Sequence, residues 1–191
     1  MVTKPLYTTI SAGKYKGKKL ELPSLESTRS TKAILKGSLF DTLQYELIDN
    51  AFVEVFGGSG SIGLEALSRG ADHAYFIEKE HDAARILKRN CKAIDETHTT
   101  VLCGDSFTLL PTLFSTLRTP TYFYFDPPFS IREGMEEVYQ NTLRLIASLP
   151  QDKTIAAIVE HMSAEVLPET IGSYTLQKTK KFGKSSLSYY R

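Results

Sequence analysis

The chain has few residues of the types that build disulfide frameworks or metal sites. Only Cys91 and Cys103 are cysteines, and their spacing suits neither a disulfide framework nor a metal pair. The histidines form no ligand cluster; they are His73, His81, His98 and His161. No apolar run approaches the roughly 20 residues of a membrane span, and no apolar stretch near Met1 resembles a signal peptide. We therefore expect a reduced, cytoplasmic protein with no resident metal and no membrane partner.

Negative charge is scarce at the N-terminal end of the chain and absent from residues 174–191, although the formal net charge is only +1. Residues 1–36 have a net charge of +6 and residues 174–191 one of +5, which leaves −10 for residues 37–173. A charge run is usually solvated surface. Two basic ends around an acidic middle are better explained by a polyanion that touches the ends.

Strand and helix patterns alternate along most of the sequence. Residues 6–22 are typical of a β-hairpin with a turn at Gly13–Gly17, and apolar residues from Ile34 to Leu47 follow helical spacing. From there the predicted elements are strand Ala51–Phe56, helix Ile62–Arg69, strand His73–Glu78, helix 81–94, strand Thr100–Cys103, helix 106–116, strand 121–125, helix 133–148 and strand Thr154–Glu160.

This alternation predicts an α/β fold, with a Rossmann-like, doubly wound and mostly parallel sheet. Segments Tyr174–Lys181 and Ser186–Arg191 predict a C-terminal antiparallel hairpin. The small N-terminal β-hairpin is an extension of this fold. We therefore divide the chain into a basic hairpin extension, residues 1–28, and a Rossmann-like domain, residues 29–191, and we expect a monomer.

A glycine-rich loop follows the first strand of the alternating region and reads Phe56-Gly57-Gly58-Ser59-Gly60-Ser61-Ile62-Gly63. Glycines let the backbone approach a ligand that lies at the N-terminus of the next helix. Gly58, Gly60 and Gly63 also satisfy the G-x-G-x-x-G pattern of dinucleotide-binding proteins. The loop alone therefore leaves both NAD and S-adenosylmethionine as candidate ligands.

Acidic residues at successive strand ends favour S-adenosylmethionine. Glu54, two residues before the loop, suits a cationic amino-acid group and would repel the pyrophosphate of NAD. Glu78 ends the next strand and can accept both hydroxyls of an adenosine ribose, which the two ligands share. Asp105, followed by Ser106, can read an adenine amino group, and it is also a typical helix N-cap. Ligands of such sheets bind at these carboxyl ends.

The tetrapeptide Asp126-Pro127-Pro128-Phe129 follows the aromatic strand at residues 121–125. The Asp126 carboxylate and the Pro127 carbonyl can accept hydrogen bonds from the exocyclic amine of a flipped base, and the prolines hold these acceptors in place. Phe129 offers a ring on which a base can stack. A Pro-Pro turn that closes a strand is the simpler alternative, but the acidic strand ends upstream favour methyl transfer to an amine.

Four segments resemble the bacterial RsmD-type methyltransferases, and together they extend almost from end to end of the chain. They are the loop and helix Phe56–Ala71 together with Asp126–Phe129, the opening hairpin Ile10–Leu20, and the closing hairpin Lys180–Tyr190. This family methylates the 2-amino group of one guanine in small-subunit (16S) ribosomal RNA, with S-adenosylmethionine as cofactor. The resemblance implies the same activity here, with ribosomal RNA, free or within an assembling small subunit, as the partner.

The motifs and the resemblance together predict three groups of site residues. The catalytic group is Asp126, Pro127, Pro128 and Phe129. The cofactor group is Glu54, Phe56, Gly57, Gly58, Ser59, Gly60, Glu78, Lys79, Asp105 and Ser106. The substrate group is Arg29, Thr31, Lys36 and Lys184.

The chain departs from the family pattern at a stretch before Leu39, where Ala33, Ile34 and Gly37 replace charged residues. Three other functions stay open at this point. A methyltransferase acting on DNA adenine or cytosine would use the same tetrapeptide, a dehydrogenase would bind NAD, and a non-catalytic RNA-binding module would bind S-adenosylmethionine weakly or not at all.

Overall fold

The computed structural model describes residues 5–23, 29–128 and 136–191, and within them it confirms the alternation of strands and helices. The strands are β1 Leu6–Thr9, β2 Lys19–Leu22, β3 Ala51–Glu54, β4 His73–Glu78, β5 Thr99–Cys103, β6 Thr121–Phe125, β7 Thr154–Met162, β8 Thr170–Ile171, β9 Tyr174–Phe182 and β10 Ser185–Tyr190. The helices are α1 Arg29–Leu43, α2 Ser61–Ser68, α3 His81–Ile94, α4 Ser106–Leu113 and α5 Glu136–Ala147, with a 3-10 turn at Gln44–Leu47.

In the described residues, β3 to β10 form one eight-stranded sheet of order β5-β4-β3-β6-β7-β10-β9-β8. The five strands from β5 to β7 are parallel, and the closing hairpin β9–β10 adds antiparallel pairing beside β7. The strand order reverses between β3 and β6. In open α/β sheets, ligands bind outside the carboxyl ends of the strands at such a reversal.

Strand periodicity distributes the side chains of β6 between the two faces of the sheet. Tyr122 and Tyr124 pack with Leu39 and Phe40 of α1 on one face, and Phe123 packs with residues of α4 and α5 on the other. Every residue of β6 is buried. A strand covered on both faces reads as a continuous apolar or aromatic run, which is why the sequence predicted this strand correctly.

The N-terminal hairpin β1–β2 packs on α2 and α3. Ile10 and Leu20 are at most 1% exposed and lie in one cluster with Leu64 and Leu87. Backbone hydrogen bonds join the hairpin to the end of α2, where the Lys14 N–H donates to the Ser68 carbonyl at 2.7 Å. The division at residues 28 and 29 stays a prediction.

The predicted helix through Leu47 ends earlier, at Leu43, because the backbone tightens into the 3-10 turn there. Strand β7 continues two residues beyond the predicted Glu160, since Met162 pairs with Ser185 of β10. The predicted helix 133–148 is observed from Glu136, and residues 133–135 lie outside the described residues. In the described ranges, no helix combines the length and the apolar character that crossing a bilayer requires.

Replacing Gly13 with alanine is expected to reduce the free energy of unfolding by about 2–4 kcal/mol. Gly13 has φ +83° and a Cβ there would lie 1.8 Å from the Ser68 carbonyl oxygen, so the hairpin would have to move away from α2. Gly17 has φ +84° with no atom within 4 Å of its Cβ position. Gly17→Ala therefore carries the backbone strain alone, about 1 kcal/mol. Urea unfolding of both variants measures the difference, and equal losses would contradict this docking.

Candidate active site

A cavity of about 260 Å³ lies at the carboxyl ends of β3, β6 and β7, where the strand order reverses. Its wall combines predicted residues from all three groups, which are Glu54, Phe56, Gly57, Gly58, Ser59, Asp126 and Lys36. The remaining lining residues are Thr8, Thr9, Ser11, Leu22, Lys32, Ala33, Leu35, Ser61, Ile62, Tyr124 and Glu160. The hairpin β1–β2 and helix α1 therefore contribute to the cavity beside the sheet.

The glycine loop is held close to the sheet by its own backbone. The Gly57 N–H donates to the Ile77 carbonyl of β4 at 2.7 Å, and the Gly60 N–H donates to the Gly57 carbonyl at 2.7 Å. A Cβ at Gly63 would lie 2.4 Å from the Phe76 ring and 3.2 Å from the Glu54 carboxylate. The third glycine of the motif thus lets the start of α2 approach β3 and β4, whereas a Cβ at Gly58 would point into open space.

Glu54 ends β3 as a buried carboxyl group, with 5% of its surface exposed. The Gly63 N–H donates to its Oε2 at 2.7 Å. The pKa of Glu54 is raised from 4.5 to about 8, mainly by burial and also by the negative charge of Asp126, while the Gly63 hydrogen bond opposes this rise. A cation bound in the cavity would favour the ionised carboxylate.

Glu78 is fixed beside the loop by two backbone donors. The Gly58 N–H donates to Oε2 at 2.7 Å, and the Glu80 N–H donates to Oε1 at 2.7 Å. A carboxylate has about four acceptor sites, so the oriented Glu78 can accept two further hydrogen bonds. The exposed Lys79 next to it points its ammonium group at Asp105, 3.3 Å from Oδ2.

Asp105 caps helix α4, because its Oδ1 accepts the Phe107 N–H at 2.9 Å. The N-cap interpretation of the sequence is therefore correct, and Oδ2 faces Lys79. Ser106 is 4% exposed and its hydroxyl donates to the Val55 carbonyl at 2.6 Å. This hydrogen bond links the start of α4 to the end of β3, so the buried Ser106 helps to fix the position of the neighbouring Asp105.

Asp126 follows β6 directly and lines the cavity together with residues of the glycine loop and helix α1. Its carboxylate is partly exposed and is 3.8 Å from the Lys32 ammonium group. Pro127 is buried and Pro128 is exposed, so the chain passes from the buried sheet to the protein surface between these two residues. Phe129 lies outside the described residues.

The predicted substrate residues lie in two places, on helix α1 and at the tip of the β9–β10 hairpin. The backbone of Arg29 and Thr31 belongs to α1, but their side chains lie outside the described residues. Lys36 lines the cavity, donates to the Thr9 carbonyl at 3.2 Å and pairs with Glu65 at 3.0 Å. Lys184 is exposed at the tip of β9–β10, where its carbonyl accepts the Ser163 N–H just beyond the carboxyl end of β7.

Sequence reasoning missed Glu65, which connects the hairpin, α1 and α2. Glu65 is 0% exposed, and its carboxylate accepts the Ser11 N–H at 2.8 Å, the Ser11 hydroxyl at 2.6 Å and the Ala12 N–H at 3.0 Å. Lys36 lies 3.0 Å from the same carboxylate and Arg69 lies 2.9 Å away. An acid inside the otherwise apolar run Ile62–Leu67 was the available signal.

Glu160 and Tyr124 were missed as well. Both line the cavity, and the Tyr124 hydroxyl donates to Oε2 of Glu160 at 2.5 Å. Glu160 is 5% exposed near the end of β7. The rule that carboxyl strand ends carry ligand residues applies to β7 as it does to β3, β4 and β6, so this rule could have identified Glu160.

The stability of the protein without ligands is expected to fall between about pH 4.5 and pH 8 because of Glu54. In that range the unfolded chain has lost the Glu54 proton while the folded protein keeps it, since its folded pKa is about 8. A raised folded pKa gives stability that is present at low pH and lost as pH rises. Urea unfolding should show that the free energy of unfolding of the wild type, relative to that of Glu54→Gln, falls by about 2–4 kcal/mol across this pH range. A constant difference would contradict the burial of this carboxyl.

Comparisons with known proteins agree over nearly the whole chain. The family described as "Conserved hypothetical protein 95" matches residues 8–191. The Bacillus subtilis (strain 168) protein named "Putative rRNA methyltransferase YlbH" is 29% identical over 189 residues, covering 95% of this chain and 97% of that protein. The Escherichia coli (strain K12) protein named "Ribosomal RNA small subunit methyltransferase D" is 29% identical over 183 residues, covering 95% of this chain and 88% of that protein.

A solved structure supports the same grouping. The Escherichia coli protein titled "Putative methyltransferase yhhF" has a TM-score of 0.77 and 26% sequence identity, and the match covers 97% of each chain. The similarity therefore includes the N-terminal hairpin and the closing hairpin as well as the central sheet.

Proposed function

The chain belongs to the family described as conserved hypothetical protein 95, and we propose that it is an S-adenosylmethionine-dependent methyltransferase of small-subunit ribosomal RNA. Its acceptor is the exocyclic 2-amino group of a guanine. The relatives named as ribosomal RNA methyltransferases support the substrate class. The observation that carries the proposal is the cavity that joins the Glu54 side of the glycine loop to Asp126.

The residues at the cofactor end fit S-adenosylmethionine better than a dinucleotide. The buried Glu54 suits an ammonium group, Glu78 is oriented to accept ribose hydroxyls, and the Gly58 position leaves space for a ligand. Among the described residues that line the cavity, the cations are Lys32 and Lys36, and each lies near a carboxylate. A pyrophosphate would meet Glu54 with little positive charge to balance it, so NAD fits poorly.

The cofactor, when bound, supplies an electrophilic methyl group. The chain itself positions the acceptor, because the Asp126 carboxylate and the Pro127 carbonyl accept hydrogen bonds from the amine. The lone pair of an aromatic amine is delocalised into the ring, and these two acceptors favour a nitrogen whose lone pair points out of the ring plane. Fixed positioning of this kind accounts for much of an enzymatic rate.

The distribution of positive charge supports an RNA substrate outside the cavity. Lys184 lies at the tip of β9–β10, and Lys180 of the same hairpin reaches α1, where it donates to the Thr42 hydroxyl at 2.8 Å. The basic C-terminal hairpin thus lies against helix α1, which begins within the basic N-terminal segment. Phosphates bind such lysines without sequence preference, while the acidic cavity accepts an uncharged base. We further propose that Arg29 and Thr31 contribute to RNA binding.

Transfer of labelled methyl from S-adenosylmethionine to three substrates tests this proposal. The substrates are assembled small ribosomal subunits, naked ribosomal RNA and genomic DNA, with Asp126→Ala, which lacks the acceptor of the amine, as the control. Transfer to either RNA substrate supports the proposal and shows whether ribosomal proteins are needed. Transfer to DNA alone would replace ribosomal RNA as the substrate, and a protein that binds RNA but not the cofactor would be a binding module. We propose that the protein acts in the cytoplasm and as a monomer.

A further inference from the structure

Glu160 lies next to Asp126 at the carboxyl edge of the sheet. The parallel pairing of β6 and β7 ends at Phe125 opposite Val159, so Asp126 and Glu160 are the next residues on neighbouring strands. Paired residues of parallel strands point to the same face, and neighbouring strands lie about 4.8 Å apart. Both side chains line the cavity. The site therefore presents two acidic side chains side by side to whatever occupies the acceptor half.

Glu160 is held in this position as a hydrogen-bond acceptor. The Tyr124 hydroxyl donates to its Oε2 at 2.5 Å. Burial, together with the negative charges of Glu160, Asp126 and Glu54, raises the pKa of Tyr124 well above 10, so the tyrosine keeps its proton and donates it. Glu160 is 5% exposed at the cavity wall.

The order of the strands places Glu160 on the far side of Asp126 from the cofactor loop. The loop follows β3, Asp126 follows β6, and Glu160 lies on β7, the next strand along the sheet. An amine that Asp126 holds toward the loop has its ring on the side away from the loop, and β7 lies on that side. Glu160 is therefore the side chain of β7 available to contact a ring atom bonded to the amine-bearing carbon.

Nucleobases differ at that ring atom. In guanine, the C2 atom that carries the amine is bonded to N1–H on one side and to N3, which has a lone pair, on the other. The N1–H side therefore presents two adjacent donors to the protein. In adenine and cytosine, the amine is next to a ring nitrogen with a lone pair, which would face the carboxylate without a hydrogen. A site that hydrogen-bonds a donor strongly rejects an analogue that lacks it, because a buried polar group is left unpaired.

We propose that Glu160 is the residue that selects guanine, by accepting a hydrogen bond from N1–H while Asp126 accepts one from the 2-amino group. This inference rests on the proposed function and adds the specificity residue of the same site. Glu160 then disfavours adenine and cytosine even though both carry an amine that Asp126 could hold.

The test compares guanine with 2-aminopurine at the methylated position. 2-Aminopurine keeps the 2-amino group but has a lone pair at N1 in place of N1–H. The RNA carries either base at the position mapped by the transfer assay and is used free or assembled, whichever form accepts methyl. The measured quantity is the ratio of kcat/KM for guanine to that for 2-aminopurine. The proteins are wild type, Glu160→Gln and Glu169→Gln, a matched control at an exposed carboxylate.

Wild type and Glu169→Gln are expected to prefer guanine by about 100-fold. Glu160→Gln should reduce this ratio at least tenfold, because the glutamine amide can donate to N1 of 2-aminopurine. Its affinity for S-adenosylmethionine should stay within about twofold of wild type, which shows that the variant is folded and that the cofactor half is intact.

Two results would overturn the inference while the proposed function stands: a wild-type enzyme that methylates both bases equally well, or a Glu160→Gln variant that keeps the wild-type ratio. The first of these needs no variant, so the inference remains testable even if Glu160→Gln does not fold. An absence of transfer to guanine RNA by the wild type would instead overturn the proposed function, and this inference with it.

Discussion

Replacing Asp126 with alanine is expected to lower kcat for methyl transfer about a thousandfold and to leave cofactor affinity unchanged or slightly higher. The loss follows because the amine no longer has the acceptor that orients its lone pair, and one such electrostatic group typically contributes 10²–10³ in rate. The affinity should hold because the charge of Asp126 raises the pKa of Glu54. Removing that charge favours the Glu54 carboxylate, to which we assign the ammonium group of the cofactor.

The measurement combines single-turnover methyl transfer with calorimetric titration of S-adenosylmethionine. Asp152→Ala is the matched control. Asp152 is exposed in the turn before β7, at the amino ends of the parallel strands and therefore at the end opposite the cavity. It should retain wild-type values for both quantities. Near-normal transfer by Asp126→Ala would remove Asp126 from the catalytic group, and a collapse of cofactor affinity would indicate a general disruption of the cavity.

Replacing Glu65 with alanine is expected to reduce the free energy of unfolding by about 3–5 kcal/mol. The carboxylate is fully buried, and its removal leaves the Ser11 N–H, the Ala12 N–H and the Lys36 ammonium group without their acceptor. Breaking one side of a buried ion pair is strongly destabilising for this reason. The hairpin and α1, which form one wall of the cavity, would lose their attachment to α2.

The pH dependence of the Glu65 effect has a definite sign. Burial opposes ionisation, but the Ser11 hydroxyl and amide and the Lys36 charge outweigh it, so the pKa of Glu65 lies below 4.5. A lowered folded pKa gives stability that is present above about pH 4.5 and lost as pH falls through the folded value. Urea unfolding of wild type and Glu65→Gln should therefore converge at low pH. The exposed Glu169→Ala serves as control, and a Glu65→Ala variant as stable as this control would contradict the account.

The sequence was sufficient for the parts of the fold that depend on local pattern. The aromatic run of β6, the glycine loop and the tetrapeptide beginning at Asp126 can each be recognised from the composition or periodicity of one short segment. The opening hairpin was also predictable, because Gly13 and Gly17 have the positive φ values that its turn needs.

Contacts between distant segments were not predictable in the same way. Glu65 accepts hydrogen bonds from Ser11, 54 residues away, and Glu160 accepts one from Tyr124, 36 residues away. Nothing in the sequence around Glu65 or Glu160 indicates which distant residue it contacts. The substrate role of Lys36 stays a prediction, and its pairing with Glu65 at the cavity wall is a contact that the sequence did not indicate. Only the strand order and helix placement bring these side chains together.

The most direct test of the central claim is mass spectrometry of nucleosides from ribosomal RNA methylated by the purified protein. The arrangement of Asp126 and Glu160 predicts 2-methylguanosine as the product, in an amount that rises with enzyme and falls sharply with Asp126→Ala. Methyladenosine or methylcytidine in its place would contradict the assignment of the guanine 2-amino group, although methyl transfer to an amine would remain.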